Sequence, residues 1–160
     1  MVVDLSELFL YDPNTESKIR HKVNRKRVKK GTEVPASKHS AGYHVCNVKG
    51  QTRFIHHIVW ELHNGPIPEG MEVDHIDRVR DNNLIENLRL GSGSQNMGNS
   101  SGHSDKAGDL PKGVYKARNK FFGKIMHKGV THKFSSYDVE EVKKWVIDKR
   151  VELFGEFALN

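Results

Sequence analysis

Hydrophobic and polar positions alternate in short runs along most of this chain, and the period turns helical in only a few places. Tyr43-His44-Val45-Cys46-Asn47-Val48 and Arg53-Phe54-Ile55 flank Lys49-Gly50 and predict a β-hairpin, since Val-rich and aromatic runs around a Gly turn fit a pleated, half-buried surface. His56 to His63, with Ile58, Val59, Trp60 and Leu62, reads as a short helix ending at Asn64-Gly65-Pro66. Gly65-Pro66-Ile67-Pro68-Glu69-Gly70 is a connector that proline and glycine keep out of regular structure. Beyond it, Met71 to His75 reads as a strand, Asp81-Asn82-Asn83 as a loop and Leu88-Arg89-Leu90 as a second strand. A helix is expected from Ser94, with Ser92 or Ser94 as its N-cap. Gly113 to Arg118, Phe121 to His127 and Val130 to Phe134 alternate around turns at Asn119-Lys120 and Lys128-Gly129, which predicts three antiparallel strands. After Ser136 a helical run carries Val139, Val142, Val146 and Leu153 on one side with Trp145 beside them. Asp138 and Glu141 stand near its start, where the helix dipole favours negative charge.

Punctuation and period therefore divide the chain into a basic, β-rich segment (1–64), a strand-loop-strand-helix unit (65–99), a Gly/Ser/Asn-rich flexible linker (100–110) and a sheet-plus-helix module (111–160). A length of 160 residues suits one ordinary domain or a few small modules with limited cores. Hydrophobic residues at 36% and charged residues at 29% exclude a disordered or membrane-embedded chain. No apolar run approaches the roughly 20 residues that span a bilayer. Met1 to Phe9 has acids, no base and no cleavage-site pattern, so the expectation is an intracellular, cytoplasmic protein without membrane association. Cys46 is the only cysteine, which rules out an internal disulfide and a thiolate zinc cluster.

Charge changes the picture more than composition does. The formal net charge is +6 with a pI near 9.4, and the positive residues are concentrated. Lys18, Arg20, Lys22, Arg25, Lys26, Arg27, Lys29 and Lys30 follow one another with no acid among them. Lys112, Lys116, Arg118, Lys120, Lys124, Lys128 and Lys133 form a second such stretch. Patches of this kind fit a polyanion, because each phosphate neutralised releases condensed counterions.

The candidate chemistry lies between the patches. Asp74-His75-Ile76-Asp77 is followed by Asn82-Asn83-Leu84, Glu86-Asn87-Leu88-Arg89 and Gln95-Asn96-Met97-Gly98-Asn99. Phosphodiester hydrolysis needs a base for water, a cation for the charge growing on phosphorus and stabilisation of the leaving oxygen. Histidine titrates near neutrality and accepts a proton, and Asp74 and the Asn96 amide oxygen are hard donors suited to Mg²⁺ or Mn²⁺.

Over roughly Phe54 to Asn99 these motifs resemble the HNH endonucleases, closest to the variant of bacteriophage-borne and intron-borne homing endonucleases in which asparagine replaces the last motif histidine. The resemblance implies His75 as general base, Asp74 and Asn96 as ligands of one Mg²⁺ (or Mn²⁺) per site, and Asn87 as the residue orienting the base. It also implies that His75 ends its strand where the chain turns, so that it and Asp74 serve one phosphate. Arg89 is a candidate for the scissile phosphate or for pairing with Glu86, Asp77 for holding the loop, and His56 for a partly buried histidine or a phosphate contact. Lys112-Gly113-Val114-Tyr115, Phe121-Phe122-Gly123-Lys124-Ile125, Phe134 and the helix ending Glu152-Leu153-Phe154-Gly155-Glu156-Phe157-Ala158 are similar to the Apetala-two/ethylene-response-factor DNA-binding domain, with Trp145 on the helix rather than on a strand.

The expected fold class is α+β: a ββα-metal (HNH) nuclease core, an N-terminal β-rich basic segment and a C-terminal three-stranded sheet plus helix. The expected DNA contacts are Arg25, Lys26, Arg27, Arg89, Tyr115, Lys116, Arg118 and Lys124. The expected partner is double-stranded DNA, cut by a monomer or homodimer encoded by a phage and acting in its bacterial host. The rival readings are a non-catalytic DNA-binding protein with a decayed nuclease core and a protein that acts on RNA, since phosphate contacts do not identify the sugar.

Overall fold

The computed structural model describes residues 3–99 and 110–158. The linker expected at 100–110 lies outside the described residues except for Leu110. In chain order the elements are β1 (Phe9–Tyr11), β2 (Ile19–His21), β3 (Ser37–Lys38), β4 (His44–Val48), β5 (Gln51–Phe54), α1 (Ile55–Asn64), β6 (Met71–His75), β7 (Leu88–Ser92), α2 (Gly93–Asn99), β8 (Val114–Ala117), β9 (Lys120–His127), β10 (Val130–Ser136) and α3 (Val139–Phe154). The class is α+β, as expected. The chain falls into two compact units, Met1–Gly91 and Ser92–Asn160.

In the first unit, α1 supplies the centre of the core. Ile55, Ile58 and Val59 recur at helical spacing on one face and are fully buried, with Trp60 and Leu62 packed at the margin. Gly65 closes the helix at φ 80, a left-handed conformation that costs glycine little, as the Asn64-Gly65-Pro66 punctuation predicts. Around α1 stand three small antiparallel sheets, β1-β2, β3-β4-β5 and β6-β7. Leu5, Leu8, Phe9 and Ile19 from the N-terminal segment share one cluster with Val73 and Leu88 of β6 and β7. Each such side chain contributes roughly 1.5–3 kcal/mol on burial. β1 and β2 escape a reading of the sequence because they are three residues long and β2 runs through the basic stretch, where only Ile19 and His21 turn inward.

In the second unit, β10-β9-β8 form the antiparallel sheet and α3 packs on one face. The Asp138 side chain caps α3 by accepting from the Glu140 N–H, and Val142, Val146 and Phe154 are buried four or eight residues apart. The fourth buried position on that stripe is Arg150, not an apolar residue; its guanidinium lies over the Phe154 ring at 5.8 Å. Trp145 stacks on Phe134 with ring centroids 5.5 Å apart. This close approach of helix to sheet passes directly over Gly123, where an added Cβ would stand 2.8 Å from the Trp145 ring and 2.9 Å from Val146. Gly123→Ala is therefore expected to destabilise the protein by about 1–3 kcal/mol through overpacking. Urea unfolding checks this, and a midpoint unchanged from the parent's would contradict the packing described.

Candidate active site

The β6-β7 pair and the loop joining its strands carry most of the motif residues. Burial alternates along β6, so Val73 and His75 face inward while Asp74 is half-buried and meets different partners. Across the pair, Arg89 of β7 donates from Nε and Nη2 to Asp74 Oδ2 at 3.2 and 3.1 Å. The arginine thus engages Asp74 rather than Glu86.

His75 is 3% exposed. Its Nε2 lies 3.2 Å from Oδ1 of Asn83, a residue with no exposed surface. Tyr43 and His56 stand beside the ring at centroid distances of 5.9 and 4.9 Å. Burial lowers the pKa of His75 from its ordinary value, against the opposing pull of the Asn83 hydrogen bond and of Asp77, Asp74 and Asp81. Burial thus favours the neutral imidazole, the form that accepts a proton.

Asn87 acts on the chain immediately beyond His75. Its backbone carbonyl accepts from the Ile76 N–H at 2.9 Å, its Oδ1 accepts from the Asp77 N–H, and its Nδ2 donates to Asp77 Oδ1 and to the Asn82 carbonyl. The Asp77 carboxylate also accepts from Val79 N–H and from Asn82 Nδ2. Burial opposes ionisation of Asp77, but these hydrogen bonds outweigh it and hold the carboxyl below its ordinary value. Asp77 and Asn87 together pin the chain as it leaves His75.

Asn96 lies on α2, in the second unit, and is half-buried. The start of that helix is a reciprocal cap: Gln95 Oε1 accepts from Ser92 N–H and Oγ–H, and Ser92 Oγ accepts from Gln95 N–H. Among the described residues no group of three or more His, Cys, Asp or Glu converges as a metal cluster.

The expected DNA contacts are distributed over both units. Arg25, Lys26 and Arg27 are exposed beyond β2, and Tyr115, Lys116, Arg118 and Lys124 are exposed on the C-terminal sheet or its turns. Strand alternation separates the last four. Tyr115 stacks on its register partner Phe122 at 5.4 Å, on the face turned away from α3, and Lys124 shares that face with its partner Lys133. Lys116 instead lies over the ring of Phe121, which packs toward the core.

Reading the sequence missed Asn83 as a partner of His75, because an asparagine in Asp-Asn-Asn looks like any turn residue. It also left His56 open. The structure buries it at 4% exposure in α1, with no hydrogen-bonding partner for Nδ1 among the described residues. Burial, helped by His57 and His75, pushes its pKa down to about 2. A histidine near 6.5 when unfolded and lower when folded stabilises fully above about pH 6.5, and the contribution is lost as pH falls below that. Stability is expected to fall by about 1.4 kcal/mol per pH unit for this proton below pH 6.5, with His21 and His75 acting in the same direction. Urea titrations across that range check it: His56→Leu flattens the dependence, and a parent of constant stability would contradict it.

A family model described as HNH endonuclease matches residues 53–98. The chain is 39% identical over 102 residues to Protein 3.8 of Escherichia phage T7, a match covering 62% of this chain and 84% of that protein. It is 38% identical over 108 residues to the uncharacterized HNH endonuclease L560 of Acanthamoeba polyphaga mimivirus, covering 66% of this chain and 54% of that one, about half its length. Among solved structures, one titled for DNA binding and cleavage by the HNH homing endonuclease I-HmuI aligns with a TM-score of 0.41 at 25% identity, over 56% of this chain and 49% of that chain. The motifs of β6, β7 and the loop between them fall inside the matched segment, and residues 53–98 of this chain form an HNH endonuclease domain.

Proposed function

We propose that the protein is a divalent-metal-dependent endonuclease that hydrolyses phosphodiester bonds in double-stranded DNA, with His75 as general base. The observation that supports this most is a buried His75 at the end of β6, one residue beyond a carboxylate and followed by a hydrogen-bonded loop. Asp74 and Asn96 are the ligands proposed for one Mg²⁺ or Mn²⁺. A carboxylate with an amide oxygen fits a hard ion that keeps water or phosphate oxygens in its other positions. When bound, the ion supplies positive charge against the charge that grows on the phosphate. His75 accepts the proton of the attacking water. Arg89 holds Asp74, and Asn87 with Asp77 fixes the turn that positions His75.

DNA is held by the exposed cations Arg25, Lys26 and Arg27, and by the C-terminal module. That module acts as an Apetala-two-like sheet offering Tyr115 and Lys124 on its outer face, with Arg118 at a turn and Lys116 at the margin. One centre per chain cuts one strand at a time, so a monomer nicks and a double-strand break needs a dimer or two events. The phage relative supports a role in an infected bacterial cell. No helix among the described residues is long and apolar enough to cross a membrane.

Incubation with duplex DNA, single-stranded DNA and RNA, with and without Mg²⁺, tests the reading. Metal-dependent cutting of duplex DNA supports it. Binding without cutting favours a decayed core, and cutting of RNA alone overturns the substrate. Binding is expected to weaken steeply with salt, with a slope of about 0.9 per phosphate contact in log affinity against log salt. Replacing Arg25, Lys26 and Arg27 with Gln should reduce that slope by about 2–3 units if each holds a phosphate. A slope unchanged in the triple variant would remove this loop from the DNA surface.

A further inference from the structure

The orientation of the Asn83 side chain follows from its two neighbours. Nδ2 lies 3.1 Å from the backbone carbonyl of Asp81, which can only accept, so the amide nitrogen must face that carbonyl. The amide oxygen is then the atom facing His75, at 3.2 Å from Nε2. A carbonyl oxygen cannot donate, so Nε2 of the imidazole must carry the hydrogen. Asn83 is completely buried, with its side chain between His75 of β6 and the Asp81 carbonyl, so its position is set by packing and not by solvent. Tyr43 and His56 flank the ring and limit its rotation.

We propose that Asn83 is a positioning residue for catalysis: its side-chain oxygen fixes His75 as the Nε2–H tautomer and so makes Nδ1 the atom that takes the proton from water. This rests on His75 being the base. Asn83 touches neither substrate nor metal and acts only through the imidazole. Without it the neutral ring divides between two tautomers, and the fraction with hydrogen on Nδ1 cannot accept there. Groups that orient an active-site histidine in this way typically matter by on the order of 10–100-fold in activity.

The test is nitrogen-15 NMR of histidine-labelled full-length protein at about pH 8, with His75 assigned by its loss in His75→Ala, alongside nicking kinetics. The parent is expected to show hydrogen on Nε2. Asn83→Asp keeps an acceptor toward Nε2 but loses the hydrogen given to the Asp81 carbonyl, so it retains hydrogen on Nε2 and turns over faster than Asn83→Leu, at lower stability than the parent. Asn83→Leu, near in size but without an acceptor, shows mixed tautomers and a kcat lower by on the order of 10–100-fold, with KM changed far less. Hydrogen on Nδ1 in the parent overturns the proposal even if Asn83→Leu fails to fold. So does an Asn83→Leu variant that folds with unchanged kcat. The two readings fail separately: if the tautomer behaves as described but His75→Ala still cuts, the positioning by Asn83 stands and the assignment of His75 as base falls.

Discussion

His75→Ala is expected to lower metal-dependent nicking by roughly 10²–10⁴-fold while leaving DNA affinity in chelator within about two-fold of the parent's. A general base acts on the water proton in the transition state, so its removal appears in turnover and not in ground-state binding. The loss corresponds to about 3–5 kcal/mol of transition-state stabilisation. Because His75 is buried against Tyr43, His56 and Asn83, the alanine leaves a cavity and the melt must be followed in parallel. His75→Gln, nearer in volume but unable to act as a base, separates the two effects. The assay is nicking of a supercoiled plasmid that carries a cleavable site, with binding measured separately. Either variant cutting at the parent's rate would end the assignment of His75 as base.

The second large effect is expected at Asp74. Asp74→Ala should lose at least about 10²-fold in nicking, with weaker Mg²⁺ or Mn²⁺ binding and partial recovery at high metal concentration. Its carboxylate also accepts from Arg89 at 3.1 Å, so the alanine disturbs the β6-β7 pair as well. Asp74→Asn keeps the volume and one carbonyl oxygen and removes only the charge. If the carboxylate serves the metal, Asp74→Asn needs more metal than the parent, whatever stability the lost charge opposite Arg89 costs. If it serves only Arg89, Asp74→Asn loses stability and the metal titration does not move. Asn96→Ala should follow Asp74→Ala with a smaller loss, because an amide brings no formal charge. Asn96→His should stay active and shift toward softer ions such as Mn²⁺ or Ni²⁺. Calorimetric metal titrations of each variant beside the nicking assay decide these points, and activity that survives chelation in the parent would remove the metal from the mechanism.

Much of the architecture follows from local signals. The β4-β5 hairpin announces itself through alternation around Lys49-Gly50, α1 through its apolar spacing and the Asn64-Gly65-Pro66 stop, and β8, β9, β10 and α3 through turns and a cap that the chain spells out. The motif order Asp-His, Asn-Asn, Asn-Leu-Arg and Gln-Asn is equally plain in one dimension, because it belongs to residue types and spacings. What a linear reading could not supply depends on contacts between distant segments. The N-terminal residues Leu5, Leu8 and Phe9 share a core with β6 and β7, although their own strand is too short to carry a period. Arg89 meets Asp74 only because β7 pairs with β6. Lys116 and Lys124 look alike in the sequence, yet strand register sends one over Phe121 and the other to the outer face. Asn83 carries the sharpest contrast. The sequence determined that an asparagine follows Asn82 in a loop, but only tertiary folding decided that it is buried and that the Asp81 carbonyl turns its amide so that the oxygen meets His75. Donor and acceptor roles are settled by neighbours in space, and those neighbours exist only once the loop has closed on β6.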